Sequence, residues 1–268
     1  MKNRLTILFL MAAFMAGAQG FNEKITIPLS SPGKKGKLEV GLVRGDIKIE
    51  VYNGKEVIIQ ATAGKGDCHD CDDDHGKPAP AGMKKISSSP IELEASEENN
   101  RVEIETNSWQ KPINLDIKLP SNFDLNISTV HGNVTVKGIS GTHEISSVNG
   151  PIKLTDIGGS VVSNTVNGDI IANFTTVNAN EPMSFVTLNG DVDITFPASI
   201  KAKAKMRSER GEIYTDFDMT VDSSKPEVKS GDGEYKVSIN SWVYGNINGG
   251  GPEYTFKNMQ GNIIIRKK

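Results

Sequence analysis

Five glycines stand nine residues apart across the middle of the chain: Gly132, Gly141, Gly150, Gly159 and Gly168. Counting on from each, the second, fourth and seventh positions are mostly apolar. They hold Val134, Val136 and Ile139; His143, Ile145 and Val148; Ile152, Leu154 and Ile157; Val161, Ser163 and Val166; Ile170, Ala172 and Thr175. A fixed period with a fixed apolar register marks a stacked repeat, because a strand–turn–strand unit cannot bury its apolar face alone. Stacked at ~4.8 Å, such units pair their backbones and close one core. Further copies follow at Gly190 and Gly211, an early one lies at Arg44-Gly45-Asp46-Ile47, and Gln260-Gly261-Asn262-Ile263 closes the chain. Glycine spacings of 18, 18, 22 and 21 from Gly132 to Gly211 predict one turn per two nine-residue units, with longer turns later.

Outside the repeats the pattern alternates with period two, as half-buried strands do. Leu38, Val40 and Leu42 alternate, as do Ile47, Ile49 and Val51, and Ile113-Asn114-Leu115-Asp116-Ile117-Lys118-Leu119 ends at Pro120. Residues 63–90 break the pattern with Gly, Pro, acids and both cysteines, and are expected to form an exposed loop insertion. No segment has a long helical period. The predicted fold is therefore all-β: a repeat-built parallel β-solenoid, or β-helix-like stack, with N-terminal strands and a loop insertion. The most regular repeats span 123–217, residues 218–236 are a polar loop or irregular hairpin, and 237–268 form a C-terminal repeat and cap. The N-terminal strands and Trp242–Gly251 are expected to cover the ends of the stack, where unpaired edges invite association. Glycine permits positive φ at each corner, and Asn149, Asn167 and Asn189 before it are expected to tolerate it too.

The first 18 residues read as a signal peptide: Lys2 and Arg4, an apolar run from Leu5 to Met15, then Ala16-Gly17-Ala18. Residues 19–268 are then one elongated β-repeat domain, and the expected location is periplasmic, outer-surface-associated or extracellular. No later segment has the ~18 apolar residues of a membrane span. A net charge of -3 without a basic block gives nucleic acid no electrostatic footprint.

Several runs together resemble a known family. They are Ile117-Lys118-Leu119-Pro120, Ser128-Thr129-Val130-His131-Gly132-Asn133-Val134, the Val-Asn-Gly and Leu-Asn-Gly repeats, Phe196-Pro197-Ala198, Arg210-Gly211-Glu212-Ile213-Tyr214-Thr215-Asp216-Phe217, and Gly249-Gly250-Gly251 ahead of Gly261-Asn262-Ile263. In order and spacing they are similar to the bacterial putative-adhesin family of exported β-strand-repeat proteins, a domain of unknown function. The likeness runs from about residue 90 onward and includes the Gly45 copy. It implies a β-repeat body and an adhesin-like role.

Candidate chemistry lies in few places. Cys68-His69-Asp70-Cys71-Asp72-Asp73-Asp74-His75 offers a short-loop disulfide between Cys68 and Cys71, or a zinc or copper site from Cys68, His69, Cys71 and His75. As an EF-hand start it fails, because His75 replaces the required glycine and Ala81 the required Glu. The repeats also lack the Gly-Gly-x-Gly-x-Asp units of calcium-binding nonapeptides. Asp169, Asp191 and Glu212 each follow a repeat glycine, and if their turns stack the carboxylates stand at glycosidase spacing, ~5 Å. Asn133, Pro151 and Asn262 share that slot, however, so polarity near the corner suffices. Trp109 and Trp242 are candidates to stack on sugars or to cap the core. The expected function is a non-enzymatic envelope or secreted protein without a cofactor, an adhesin or interaction scaffold contacting a surface glycan or envelope protein. The rivals are a glycan-processing enzyme and a metal-binding protein acting through 68–75.

Overall fold

The computed structural model describes residues 21–63, 93–106, 111–223, 227–231, 234–238 and 242–268. Residues 1–18, expected as a signal peptide, Trp109 and, apart from Ala63, the expected 63–90 insertion lie outside the described residues. Everything regular in the described residues is β-strand.

In chain order the first strands are β1 (Asn22–Pro28), β2 (Gly36–Arg44), β3 (Ile47–Val51), β4 (Glu56–Ala63), β5 (Leu93–Glu98), β6 (Arg101–Thr106) and β7 (Ile113–Leu119). The regular repeats give β8 (Phe123–His131), β9 (Val134–Lys137), β10 (Ser140–Asn149), β11 (Ile152–Asn167), β12 (Ile170–Val177), β13 (Met183–Asn189) and β14 (Val192–Phe196). Then come β15 (Ala202–Arg210), β16 (Ile213–Thr215), β17 (Met219–Ser223), a separate hairpin of β18 (Glu227–Gly231) and β19 (Glu234–Ser238), and finally β20 (Val243–Ile247), β21 (Glu253–Gln260) and β22 (Ile263–Lys267).

Each full rung is a long strand, a glycine corner and a short strand on the opposite side of the core. Parallel ladders stack the rungs in register: Gly141 pairs with Gly159, Asn149 with Asn167, and Ile152 with Ile170, each 18 residues on. The expected solenoid turn of two nine-residue units is thus observed. The two kinds of glycine differ in role. Gly132, Gly150, Gly168, Gly190 and Gly261 make one corner, with φ between +121° and +154°. Gly141 and Gly159 lie inside strands near the other bend, beside Asp156 at φ 52°. At the first corner a Cβ on any glycine would fall on the carbonyl oxygen of the glycine one rung below, from Gly132 on Gly45 to Gly211 on Gly261. Close backbone approach, together with dihedral freedom, therefore dictates the cadence.

Chain order is not spatial order. The long strands run β6–β2–β8–β10–β11–β13–β21–β15, and the short ones β7–β3–β9–β11–β12–β14–β22–β16. The early Gly45 rung sits between rungs 101–119 and 123–137. The last rung sits between 183–196 and 202–215, so Gly190 neighbours Gly261 and not Gly211. Sequence spacing had suggested that Gly211 follows Gly190 in the stack; the inserted C-terminal rung corrects this.

The ends are covered as expected. At one end β4 and then β1 run antiparallel on β7, and β5 antiparallel on β6. At the other, β20 and β17 follow β15. Residues 218–236, expected as a polar loop or irregular hairpin, contain β17, β18 and part of β19. One apolar cluster runs through the whole stack, from Ile27 to Ile265. The second and fourth positions after the corner glycines are buried, as read, except on the end rung, where Ile213 after Gly211 is half-buried and Thr215 exposed. The seventh is not uniform: Ile139 and Ile157 are buried, whereas Val148 and Val166 are about two-fifths exposed and Thr175 faces out. The reason is parity. Val148 and Val166 stand two residues before a corner glycine on the long strand, and their neighbours Ser147 and Thr165 take the inward positions.

Candidate functional site

The corner is a set of polar ladders. Asn149, Asn167 and Asn189 do not adopt positive φ. Instead they form an amide chain: Asn167 Nδ2 donates to Asn149 Oδ1 at 2.8 Å, and Asn189 Nδ2 to Asn167 Oδ1 at 2.7 Å. His131 extends the column at 3.4 Å from Asn149. Three residues before every corner glycine but Gly45 stands a hydroxyl or amide, buried except for the half-buried Ser208, which the sequence reading missed. Thr165, Thr187 and Ser208 donate to the carbonyls of Gly150, Gly168 and Gly261 at 3.2, 2.9 and 3.0 Å. Asn258 Nδ2 does the same for Gly190 at 3.3 Å. These carbonyls point inward, where an unpaired acceptor is costly, and on these four rungs the side chain satisfies the rung below; the Thr129 and Ser147 hydroxyls at the same offset are buried without a partner. The signal was visible as Thr129, Ser147, Thr165, Thr187 and Ser208 at one fixed offset.

The acids after the glycine serve the backbone. Asp169 Oδ1 accepts from the Asp191 amide at 2.8 Å, and Asp191 Oδ1 accepts from the Asn262 amide at 2.7 Å. Asn262 Oδ1 then accepts from the Glu212 amide at 3.0 Å. Asn262 separates Asp191 from Glu212, so the structure does not bring the three acids together. In each case an oxygen caps the next corner, a role asparagine fills equally well.

His143 is buried in the column between Leu125 and Val161. Burial pushes its pKa down to about 4, against opposing pulls from the Gly158 backbone and Asp124. The imidazole is neutral core packing over the physiological range. Trp242 is half-buried at the end of the stack, with Lys205 Nζ 5.0 Å and Arg207 Cζ 5.9 Å from its ring, so it caps β15 by cation–π contact. The metal candidates Cys68, His69, Cys71 and His75 lie outside the described residues. Among the described residues no group of three or more His, Cys, Asp or Glu is placed to hold a metal ion.

What remains outward is a pair of sheet faces. On the long-strand face Val130, Val148, Val166 and Leu188 form a column, each about two-fifths exposed, with Val43 and Met259 half-buried at its ends. Beside it stand Ser128, Ser146, Asn164 and Val186, and beyond these Asn126, Glu144, Val162 and Ser184. The short-strand face carries Lys48, Thr135, Lys153, Ile171, Asp193, Ile264 and Tyr214 in one column, with Ile171 and Tyr214 the exposed apolar members.

Glycine corners, parallel ladders and two open faces define a β-solenoid built for rigidity along its length. The chain belongs to the Toastrack DUF4097 family, whose family model matches residues 2–248. The family resemblance read from the sequence holds. Among solved structures, a putative cell adhesion protein from Clostridium sporogenes is similar, at 16% identity and TM-score 0.42, covering 93% of this chain and 100% of that one. A putative adhesin from Bacteroides fragilis is similar at 12% identity and TM-score 0.41, covering 94% and 98%. No curated protein matches the chain.

Proposed function

We propose that the protein is an exported, non-enzymatic scaffold of the cell envelope, adhesin-like, whose sheet faces contact a surface glycan or an envelope protein. The observation that carries this is the division of labour in the rungs. Corner asparagines, acids and hydroxyls hold the stack, while exposed side chains such as Val166 and Ile171 hold nothing within it. The signal segment and family membership support export and surface display. Among the described residues no helix is long and apolar enough to cross a membrane.

The test has two arms. Fractionation and protease shaving of cells locate the protein, and immobilised protein is offered surface glycans and envelope extracts. Binding that is lost on Ile171→Lys or Tyr214→Lys supports the reading. Glycan turnover that disappears in Asp191→Asn would replace it with the enzyme reading. The Cys68–His75 loop enters the proposal as an appendage, closed by a disulfide or holding zinc or copper. Elemental analysis and thiol counting of wild type, Cys68→Ser and His75→Ala decide between these.

A further inference from the structure

The long-strand face carries a charge order that the glycine cadence does not require. At the β5–β6–β2 end carboxylates outnumber cations: Glu94, Glu98, Glu103, Glu105 and Glu39 against Arg101 and Lys37. Glu39 is already engaged, since Lys37 at 2.6 Å, helped by Arg101, holds its carboxyl below the usual range. Glu103 and Glu105 are left as the unspent acids on β6. At the β21–β15 end the balance reverses, with Lys203, Lys205, Arg207 and Lys257 against Glu253 and Glu209. Between the two ends four strands carry only Glu144 and Asp124, the latter paired with Lys35 at 2.7 Å, as outward charges, and there the valine–leucine column lies.

We infer that this face docks on the same face of a second copy of the chain, with the two stacks antiparallel and a twofold axis along β11. The operation leaves position along the strand unchanged and reverses the order of strands. Val166 then meets its own copy on the axis, Leu188 meets Val148, and Met259 meets Val130, so the apolar column becomes one seam. β15 passes over β2 and β20 over β6, which sets Lys205, paired within the chain with Glu253 at 3.6 Å, against the Glu39–Glu103 pair and Arg207, paired with Glu209 at 3.0 Å, beside Glu105. At the edge of the patch Lys203 falls over Lys37 and Glu253 over Asp124, like charges that the favourable rows outweigh. An isologous contact of this kind closes at two copies, because each patch is used once. Seven strands at ~4.8 Å by seven residues at ~3.3 Å give a contact of about 800 Å² per copy, the usual size for a specific complex. The parallel alternative would bring acid onto acid and cation onto cation, a like-charge arrangement that costs affinity. This inference rests on the scaffold reading, and it leaves the short-strand face free for the envelope partner.

Sedimentation velocity and light scattering on the mature protein test it, with circular dichroism as a fold control. Wild type runs as a dimer whose Kd rises with salt, and Val166→Lys, which sets two cations on the axis, weakens it by at least about tenfold, ~1.4 kcal/mol. Lys205→Glu/Arg207→Glu and Glu103→Lys/Glu105→Lys are each monomeric, and mixing them restores a heterodimer. A wild type that stays monomeric, a dimer indifferent to Val166→Lys, or reversed pairs that fail to rescue each other on mixing overturns the inference. Envelope binding retained by a monomeric variant would leave the scaffold reading standing and separate the two outcomes.

Discussion

Between Gly132 and Gly168 the rungs are 18 residues long and the core between the two sheets is aliphatic: Val134, Val136, Ile145, Ile152, Leu154 and Ile170. From Phe174 onward the rungs lengthen and the core turns aromatic. Phe174 stacks on Phe196 at 4.9 Å, Phe185 stacks on Phe256 at 5.5 Å, and Tyr254 leans on Phe196 at 5.5 Å. The extra residues fall around 178–182 and 197–201, at the bend opposite the corner glycines. Interiors hold a near-constant packing density, so a longer contour must enclose larger side chains. The comparison teaches that corner and core obey separate rules. Corner chemistry is the same in both halves, while side-chain volume follows rung length.

Substitutions at corner and core separate the two rules. Gly168→Ala places a Cβ on the Gly150 carbonyl at φ +154° and is expected to cost more than about 4 kcal/mol in urea unfolding. Gly249→Ala, with φ +87° and open space around it, should cost only ~1–2 kcal/mol. Equal losses at the two sites would mean that dihedral freedom, and not backbone approach, sets the cadence. Phe196→Ala in the wide half should lose about 3–5 kcal/mol, against roughly 0.5–1.5 kcal/mol for Ile152→Val in the narrow half. A mild Phe196→Ala would show that the long rungs can collapse.

A pH series tests His143. His143 has a folded pKa of about 4 and an unfolded one near 6.5, so between these values the unfolded chain binds more protons. Stability is full above about pH 6.5 and falls as pH drops toward 4, by up to about 3 kcal/mol. His143→Leu should flatten that limb, and an unchanged limb would assign acid lability to other groups. The smallest effect is expected at the surface. Asn167→Ala removes two amide hydrogen bonds of the ladder and should cost ~1 kcal/mol in thermal unfolding, because water competes for exposed amides.

The sequence carried the rung but not the wiring. Gly132, Gly150 and Gly168 announce an 18-residue turn because their contacts are with the adjacent turn in the chain. Gly45 and Gly261 are recognisable copies, yet nothing local says that Gly45 lies beside Gly132 or Gly261 beside Gly190. Any parallel rung with apolar residues at alternate positions would satisfy either slot, so rung order is decided by the ends and caps together. The outward column was hidden for a related reason. Val148 and Val166 look like core in a nine-residue count, and only the buried Ser147 and Thr165 next to them reveal the parity. At the corner, the slot shared by Asp169, Asp191 and Asn262 showed a need for polarity, but not that its oxygens accept from the next rung's amides.

The insertion of the first and last corner rungs between neighbours has a consequence for how the molecule comes apart. In an ordinary solenoid the terminal repeat peels away, and its loss only shortens the rod. Here the first and last corner rungs are bolts set between neighbours, each held on both sides by parallel ladders. Removing residues 253–267 would not trim the stack but cut it, leaving β13 and β14 facing β15 and β16 across an empty slot. Unravelling from the C-terminal side therefore has to open the interior first, whereas on the N-terminal side β1 and β4 peel from the cap before the Gly45 rung is reached. Wiring of this kind places the barrier to opening in the interior of the stack, where kinetic stability is set.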